Sequence, residues 1–459
     1  MKPFLPQLER ESSVPLYIQL YRFLKEEITC GNLKAGEKLP SLRRLSKELG
    51  ISITTSEWAY NQLLVEGYVT SKPQSGYYVA TVVQSQKNDT EDELSNFNFS
   101  TYTFKGSGYR YDLSCFDFMK WKKCASKVLT EYSHLLLFES DTQGEAALRF
   151  EISKYVFSSR RVRCTPDQIV VGAGTQQLTF HLCRILKKMN IAHMSTEDPG
   201  YLPVQNIFRD HNFSITKVPV AHDGICIEKL PSNIPSAVYV NPSNQFPTGS
   251  VMPIGRRYEL LKWARENNSY IFEDDYDSEL RYFGKPVPAL QGLEKNSNVV
   301  YLGSFSSTLF PAIKISYMVL PQEMVNIFNE IKSDYTQTCS KMEQLTLALF
   351  MDEGLYYTNI RKLRNLYSQK LQAVLSALNT YGKDFIRPLN TNSGINLILH
   401  VRSEKKAGEL CSLAKSIGLN IVSVDLPEKK EITLNFYYNQ IPLDDIDAVI
   451  RKVTELWRS

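Results

Sequence analysis

Over the first 80 residues, apolar positions form three helical stripes followed by one alternating pair. From Pro15, the residues Leu16, Ile18, Leu20, Phe23, Leu24 and Ile28 suit one amphipathic helix, which Gly31 closes. Ser41 can cap a short second helix with Leu42, Leu45 and Leu49 on its apolar face. Gly50 permits a tight turn, and Ser52 or Thr54 can cap a third helix that is expected to carry Trp58, Leu63 and Leu64 inward. Beyond Gly67, Tyr68-Val69-Thr70 and Tyr77-Tyr78-Val79 alternate around a turn containing Pro73 and Gly76, a β-hairpin pattern. Helix, helix-turn-helix and hairpin in this order predict a small α+β winged helix-turn-helix domain.

The pattern then stops. Residues 82–109 include QSQKNDTEDELSNFNFS, polar and acidic without sustained periodicity, and are expected to be a linker. From residue 110 to 459, short apolar runs alternate with helical stretches: DQIVVGAG then TQQLTFHLCRIL, SAVYVNP then RRYELLKWARE, SYIFEDDY, and NVVYLGSFSS. That alternation predicts a large α/β domain with a largely parallel sheet. Ligands in such sheets gather at the carboxyl ends of the strands, where this sequence carries polar residues.

Composition adds mostly exclusions. The length of 459 residues exceeds one simple core, so two or three domains are expected. A net charge of +4 does not by itself indicate nucleic acid, and basic residues only slightly outnumber acidic ones in the first 81, so non-specific DNA affinity should be modest and salt-sensitive. The eight cysteines are scattered without a CxxC pair or Cys/His cluster; reduced thiols are expected, with no zinc site and no disulfide framework. MKPFLPQLERESS is charged too early for a signal peptide, and no run of about 18 apolar residues could span a bilayer. A cytoplasmic protein without membrane contact is expected.

KLPSLRRLSKELGIS, AYNQLLVEGYV and the Gly-containing wing resemble the DNA-binding domains of the GntR family over the whole segment. The resemblance implies double-stranded DNA as partner, with the third helix entering the major groove by its N-terminal residues. Ser52, Thr54, Thr55 and Ser56 would then face base edges or phosphates. Arg43, Arg44 and Lys47 would neutralise phosphates from the second helix, and Lys72 and Gly76 would contribute from the wing. A winged helix can also bind protein, but the match along the entire segment favours DNA. One departure stands out: the family follows the serine with arginine, and here Ser52 is followed by Ile53, which removes a strong guanine or phosphate reader.

The large domain resembles the fold-type I, pyridoxal-phosphate-dependent aminotransferases, and most closely the aminotransferase-like domain of MocR-type transcription regulators, a branch of the GntR family. Gly172-Ala173-Gly174-Thr175-Gln176 joins a strand to a helix, and free N–H groups with a helix dipole make an anion site there; an ordinary strand–helix turn is the competing reading. By resemblance, Gly174, Thr175, Gln176 and Ser304 belong to the cofactor set, and Tyr201 of EDPGY stacks over the pyridine, unless it is simply a core tyrosine. Asn241 of YVNPSNQFPTG would donate to the pyridine 3′-oxygen. In Phe272-Glu273-Asp274-Asp275-Tyr276-Asp277, Asp274 would pair with the protonated ring nitrogen and make the ring an electron sink, while Tyr276 reaches the 3′-oxygen.

The departures are equally specific. In the GSFSS turn, Ser307 stands where the family carries its Schiff-base lysine, and no hydroxyl forms an imine. Lys314 stands for the phosphate-binding arginine, keeping the charge but not the bidentate fork. Pro203 occupies a carboxylate-arginine position, and a second such arginine falls near Lys429 or Lys430. No catalytic residue is therefore assigned. Three readings remain: a regulator that binds pyridoxal 5′-phosphate or a related effector non-covalently, an active aminotransferase, and a cofactor-free dimerisation scaffold. The first is favoured, because transamination needs the lysine as imine partner and general base. The resemblance also implies a head-to-tail homodimer and an effector related to amino acids or vitamin B6.

Overall fold

A computed structural model describes residues 6, 8–10, 12, 14–81, 112–282, 287–295, 298–389, 391, 394–424 and 432–458. The chain divides into two compact units, Met1–Phe104 and Lys105–Ser459.

In the first unit, α1 (Leu16–Thr29), α2 (Leu42–Leu49) and α3 (Ile53–Val65) precede an antiparallel hairpin of β1 (Val69–Lys72) and β2 (Gly76–Val79). The Ser41 hydroxyl accepts from the Arg44 amide and caps α2, and Gly50 at φ 64° ends it in the left-handed region. The Ser52 hydroxyl caps α3 through the Thr55 amide at 3.0 Å. Leu20, Leu24 and Ile28 of α1 pack with Leu45, Ala59, Tyr60, Leu63, Val69 and Val79. The expected inward set of α3 needs correction: Trp58 is 57% exposed, edge-on to Tyr17, and Leu64 is also exposed. Ser56, Ala59, Tyr60 and Leu63 fall at i, i+3, i+4 and i+7, and that stripe faces the core instead.

The second unit opens with α4 (Phe118–Glu131) and α5 (Ala146–Arg160). It continues through β3 (Ile169–Gly172), α6 (Thr175–Lys188), β4 (His193–Asp198), α7 (Leu202–Asp210), β5 (Ser214–Ala221), β6 (Gly224–Ile225) and β7 (Ala237–Val240). Then come α8 (Ile254–Glu266), β8 (Tyr270–Asp274), α9 (Leu290–Leu293), β9 (Val299–Ser304), β10 (Ser316–Val319), α10 (Gln322–Ile331), α11 (Lys341–Asp352) and the 27-residue α12 (Leu355–Tyr381). Strands β3 to β10 form one eight-stranded sheet in the order β3-β10-β9-β8-β7-β4-β5-β6. The five central strands from β9 to β5 run parallel, while β10 pairs antiparallel with both β3 and β9. Alternation along the strands splits the core between two faces. Val170, Val300, Leu302 and Met318 meet α6 and α10, whereas Val171, Tyr301, Tyr317 and Val319 meet α5 and α11. A smaller antiparallel sheet, β11 (Ile386–Leu389), β12 (Asn396–Val401), β13 (Ile421–Ser423) and β14 (Ile432–Tyr437), packs with α12, α13 (Ala407–Ser416) and α14 (Ile446–Arg458).

Among the described residues no helix is long and apolar enough to cross a membrane, and no cluster of three metal-ligating side chains occurs. All eight cysteines are free.

Candidate functional site

A cavity of about 280 Å³ opens where β7, β8 and β9 end and α6 begins, closed on its far side by the small sheet. It is lined by Thr175, Tyr201, Asn241, Phe246, Asp274, Tyr276, Asp277, Ser304, Ser306 and Ser307, with Asn396 and Tyr437 from the small sheet and Ile395 just before it. Seven positions picked out in the sequence thus come together: Thr175, Tyr201, Asn241, Asp274, Tyr276, Ser304 and Ser307. Gly174, at φ 91°, forms the helix cap behind Thr175, and Gln176 is exposed; neither lines the cavity. Lys314, expected at the phosphate end, requires correction. It caps a one-turn helix in the left-handed region at φ 49°, is exposed, and is not among the lining residues. Lys429 and Lys430 lie outside the described residues.

The acidic run EDDYD is divided by the geometry of β8 and the turn after it. Glu273 accepts from the Leu290 and Gln291 amides and lies 3.7 Å from Arg257. Asp275 accepts from Arg160 Nε at 2.6 Å and from the Tyr301 hydroxyl at 2.7 Å. Burial pushes the Asp275 carboxyl up, but Arg160 and these hydrogen bonds outweigh it and hold the group below its ordinary value. Asp274 and Asp277 take the other side and line the cavity.

Asp274 is buried, which pushes its pKa up to about 6; hydrogen bonds from Tyr239 and Asn241 pull it back, and Asp275 and Asp277 push it further up. The Tyr239 hydroxyl donates to Asp274 Oδ2, and Asn241 Nδ2 donates to the Asp274 carbonyl at 3.1 Å. With that amide group committed, Asn241 Oδ1 is left buried without a partner. Behind them, Glu197 of β4 accepts from Gln245 Nε2 at 3.1 Å and the Asn241 amide at 3.3 Å. Burial nevertheless pushes Glu197 up to about 8.

Gly303 is required one residue before Ser304, because a Cβ there would overlap the Tyr317 ring on β10. The turn that follows is held by Ser304 Oγ, which accepts from the Ser306 amide at 3.3 Å and the Ser316 hydroxyl at 3.0 Å. Ser307 comes to the Asp277 carboxylate. Burial raises Asp277 to about 6, and the Ser307 hydroxyl pulls it back. Asp277 itself sits at φ 59°, and its Oδ1 is buried without a partner.

Asp277, Phe246, Asn396 and Tyr437 were not singled out from the sequence. Asp277 lies within the quoted acidic run, but only the left-handed turn aims it at the cavity. Asn396 and Tyr437 belong to strands more than a hundred residues away from β8, and no local word marks them.

A pyridoxal-type group fits these residues. A buried carboxylate at Asp274, aromatic walls at Tyr201, Phe246 and Tyr437, and hydroxyls at Thr175, Ser304 and Ser306 beside a helix N-terminus suit an aromatic ring with a phosphate arm. Asn241 and Asp277, both in the lining, each keep one buried oxygen without a partner.

On the first unit, Arg43, Arg44 and Lys47 are exposed along α2, although Arg44 is paired with Glu48 at 2.8 Å. Thr54 is exposed at the start of α3, and the Ser52 and Thr55 hydroxyls bond each other at 2.8 Å as part of the cap. Lys72 rests over the Tyr78 ring at 4.6 Å, and Gly76, at φ 112°, forms the wing turn. Ser56, expected to face DNA, does not. It is fully buried, on the core stripe of α3, and cannot reach DNA.

The fold and the site define a DNA-binding winged helix joined to an aminotransferase-like domain. Residues 16–79 match the family described as bacterial regulatory proteins, gntR family, and residues 109–433 match aminotransferase class I and II. The chain belongs to the MocR-type transcription regulators of the GntR family. It is 39% identical over 99% of both chains to the uncharacterized HTH-type transcriptional regulator YdeL of Bacillus subtilis. It is 31% identical to the probable rhizopine catabolism regulatory protein MocR of Rhizobium meliloti (90% of this chain, 87% of that one). The HTH-type pyridoxine biosynthesis transcriptional regulator PdxR of Corynebacterium glutamicum shares 29% identity over 90% of this chain and 88% of its own. Among solved structures, Pyrococcus horikoshii kynurenine aminotransferase superimposes with a TM-score of 0.65 at 21% identity, covering 82% of this chain and 95% of that one, a likeness of fold.

Proposed function

We propose that the aminotransferase-like domain is a sensor for a vitamin B6 compound, which it holds without a covalent bond and does not use for transamination. The observation that carries this reading is the cavity lining, in which, among the described residues, there is no lysine and Ser307 stands at the turn where the family word has one. When bound, a pyridoxal-type group would supply an electron-withdrawing ring. In this chain Asp274 would hold the ring nitrogen, Tyr276 and Asn241 would orient the ring edge, and Thr175, Ser304 and Ser306 would receive the phosphate arm. No lining side chain can form an imine or shuttle a proton as an amine does, which argues against the aminotransferase reading. The cavity itself, with a buried carboxylate and aromatic walls beside a helix N-terminus, argues against a cofactor-free scaffold. The name of the PdxR relative, a regulator of pyridoxine biosynthesis, supports a B6-linked effector.

We further take residues 1–81 as the DNA-binding domain, 82–109 as the linker and 110–459 as the sensor, assembled as a head-to-tail homodimer. Exposed Phe118 and Met119 on α4, Leu137 and Phe138 after it, and Phe150 and Phe157 on α5 support a covered apolar face. The test is titration of the purified protein with pyridoxal 5′-phosphate, then borohydride reduction and intact mass. Saturable binding without a site-specific adduct is the expected result; an adduct at one lysine, or no binding, overturns it.

A further inference from the structure

The lining of the cavity is electrically one-sided. Asp274 and Asp277 are its only ionisable side chains apart from tyrosines, and among the described residues no lysine, arginine or histidine joins them. Asp274 has an assigned role toward a ring nitrogen; Asp277 has none. It is 3% exposed, and its Oδ1 is buried without a partner. On its other side lies a crevice of about 10 Å³ lined also by Arg160, Ser243, Arg257, Ser278 and Arg281, too small for a ligand. Arg160 is committed to Asp275 there, and Arg257 to the carbonyls of Met252, Pro288 and Pro242. A carboxylate buried in this way is costly unless a cation meets it. Besides burial, the one group that acts on the Asp277 carboxyl is the Ser307 hydroxyl, and the cavity is the side with room for a ligand.

We propose that Asp277 is the receptor for a protonated primary amine on the ligand, so that the cavity selects the amine form of a vitamin B6 phosphate, pyridoxamine 5′-phosphate, over the forms that lack the amine. The proposal rests on the reading of the cavity as a B6 site and specifies which form it takes. Ser307 contributes by being short. A lysine in this turn would bring its own ammonium to Asp277, whereas the serine hydroxyl stabilises the carboxylate while leaving room and charge for the ligand's amine. Tyr276 and Tyr437 line the same space, and aromatic faces add a further favourable environment for an ammonium group. The ligand's two cations match the two carboxylates: the ring N–H⁺ faces Asp274 and the ammonium faces Asp277, whereas replacing the ammonium leaves Asp277 without a cation.

The test compares pyridoxamine 5′-phosphate with pyridoxine 5′-phosphate, which replaces the amine by a hydroxyl of similar size and cannot form imines with surface lysines. Affinities are measured calorimetrically on the full-length protein, on Asp277→Asn and on Ser307→Lys. Asparagine is the replacement that tolerates φ 59°. Wild type is expected to bind the amine at least about tenfold more tightly than the alcohol, as for one charge-assisted hydrogen bond. Asp277→Asn should bring the two affinities within about threefold of each other. Ser307→Lys should likewise erase the preference, by placing a competing ammonium beside Asp277. Equal affinities in wild type, or a preference that survives Asp277→Asn, overturn the assignment of Asp277 and leave the B6 reading standing. Binding of neither compound overturns both.

Discussion

Arg160 Nε lies 2.6 Å from Asp275 Oδ2, and both side chains are buried beneath the turn that carries Tyr276 and Asp277. Arg160 also reaches the Val287 carbonyl and the Ser243 hydroxyl, so one guanidinium ties α5 to the end of β8 and to the loop after β7. The catalytic-looking acidic run is thereby half structural. Arg160→Met should destabilise the large domain by roughly 3–5 kcal/mol, towards the lower end because Tyr301 and Ser278 still donate to Asp275. Urea unfolding of the large-domain transition measures this; a loss below about 1 kcal/mol would mean the pair is not the anchor.

Asp277 should make the ligand-free protein less stable in a pH-dependent way. Its folded-state pKa of about 6 lies above its ordinary value, so the folded state binds the extra proton. The destabilisation is absent below about pH 4, grows as pH rises through 4–6, and is complete above about pH 7. Asp277→Asn should therefore be more stable than wild type by roughly 1–3 kcal/mol at pH 8, with the difference closing at pH 4. Thermal unfolding of both proteins across this range gives the answer, and a constant difference would show that Asp277 is not the titrating group.

On the proposed role of Asp274 as the buried acceptor for a ring nitrogen, Asp274→Ala should abolish binding of vitamin B6 phosphates. Tyr239→Phe should weaken binding by about fivefold to tenfold through loss of the hydroxyl that holds Asp274 Oδ2. Unchanged affinity in Asp274→Ala would remove the ring from this end of the cavity.

On the reading of both side chains as phosphate contacts, the double substitution Arg43→Ala with Arg44→Ala should weaken DNA binding at all sequences and lower the salt slope by about 2. Ile53 is 48% exposed at the N-terminus of α3, so Ile53→Arg should raise affinity and steepen the slope by about 1. Thr54→Ala should change sequence preference. Ser56→Ala should not, since Ser56 Oγ is buried without a partner. Fluorescence anisotropy at several salt concentrations separates these effects; a Ser56→Ala variant with altered preference would be the surprise.

The sequence by itself determined the order of the parts. The Ser41 and Ser52 caps, Gly50, the wing turn, the strand–helix alternation and the acidic word after β8 are local signals, set by backbone preference and by side-chain period. They carried both domains, while the seven cavity residues came from the resemblance to the aminotransferase family. Only the tertiary structure decided which way equivalent residues point. Ser56 differs from Thr54 by two helix positions, about 200° around the axis, and that rotation buries it. Trp58 is apolar like Leu63 on the same helix, but the stripe of Ser56, Ala59, Tyr60 and Leu63 faces the core and leaves it outside. Asp275 and Asp277 are both acidic and two residues apart; Arg160, more than a hundred residues away, takes one and leaves the other facing the cavity. Such choices depend on charges and volumes brought together from distant strands, and no local pattern encodes them.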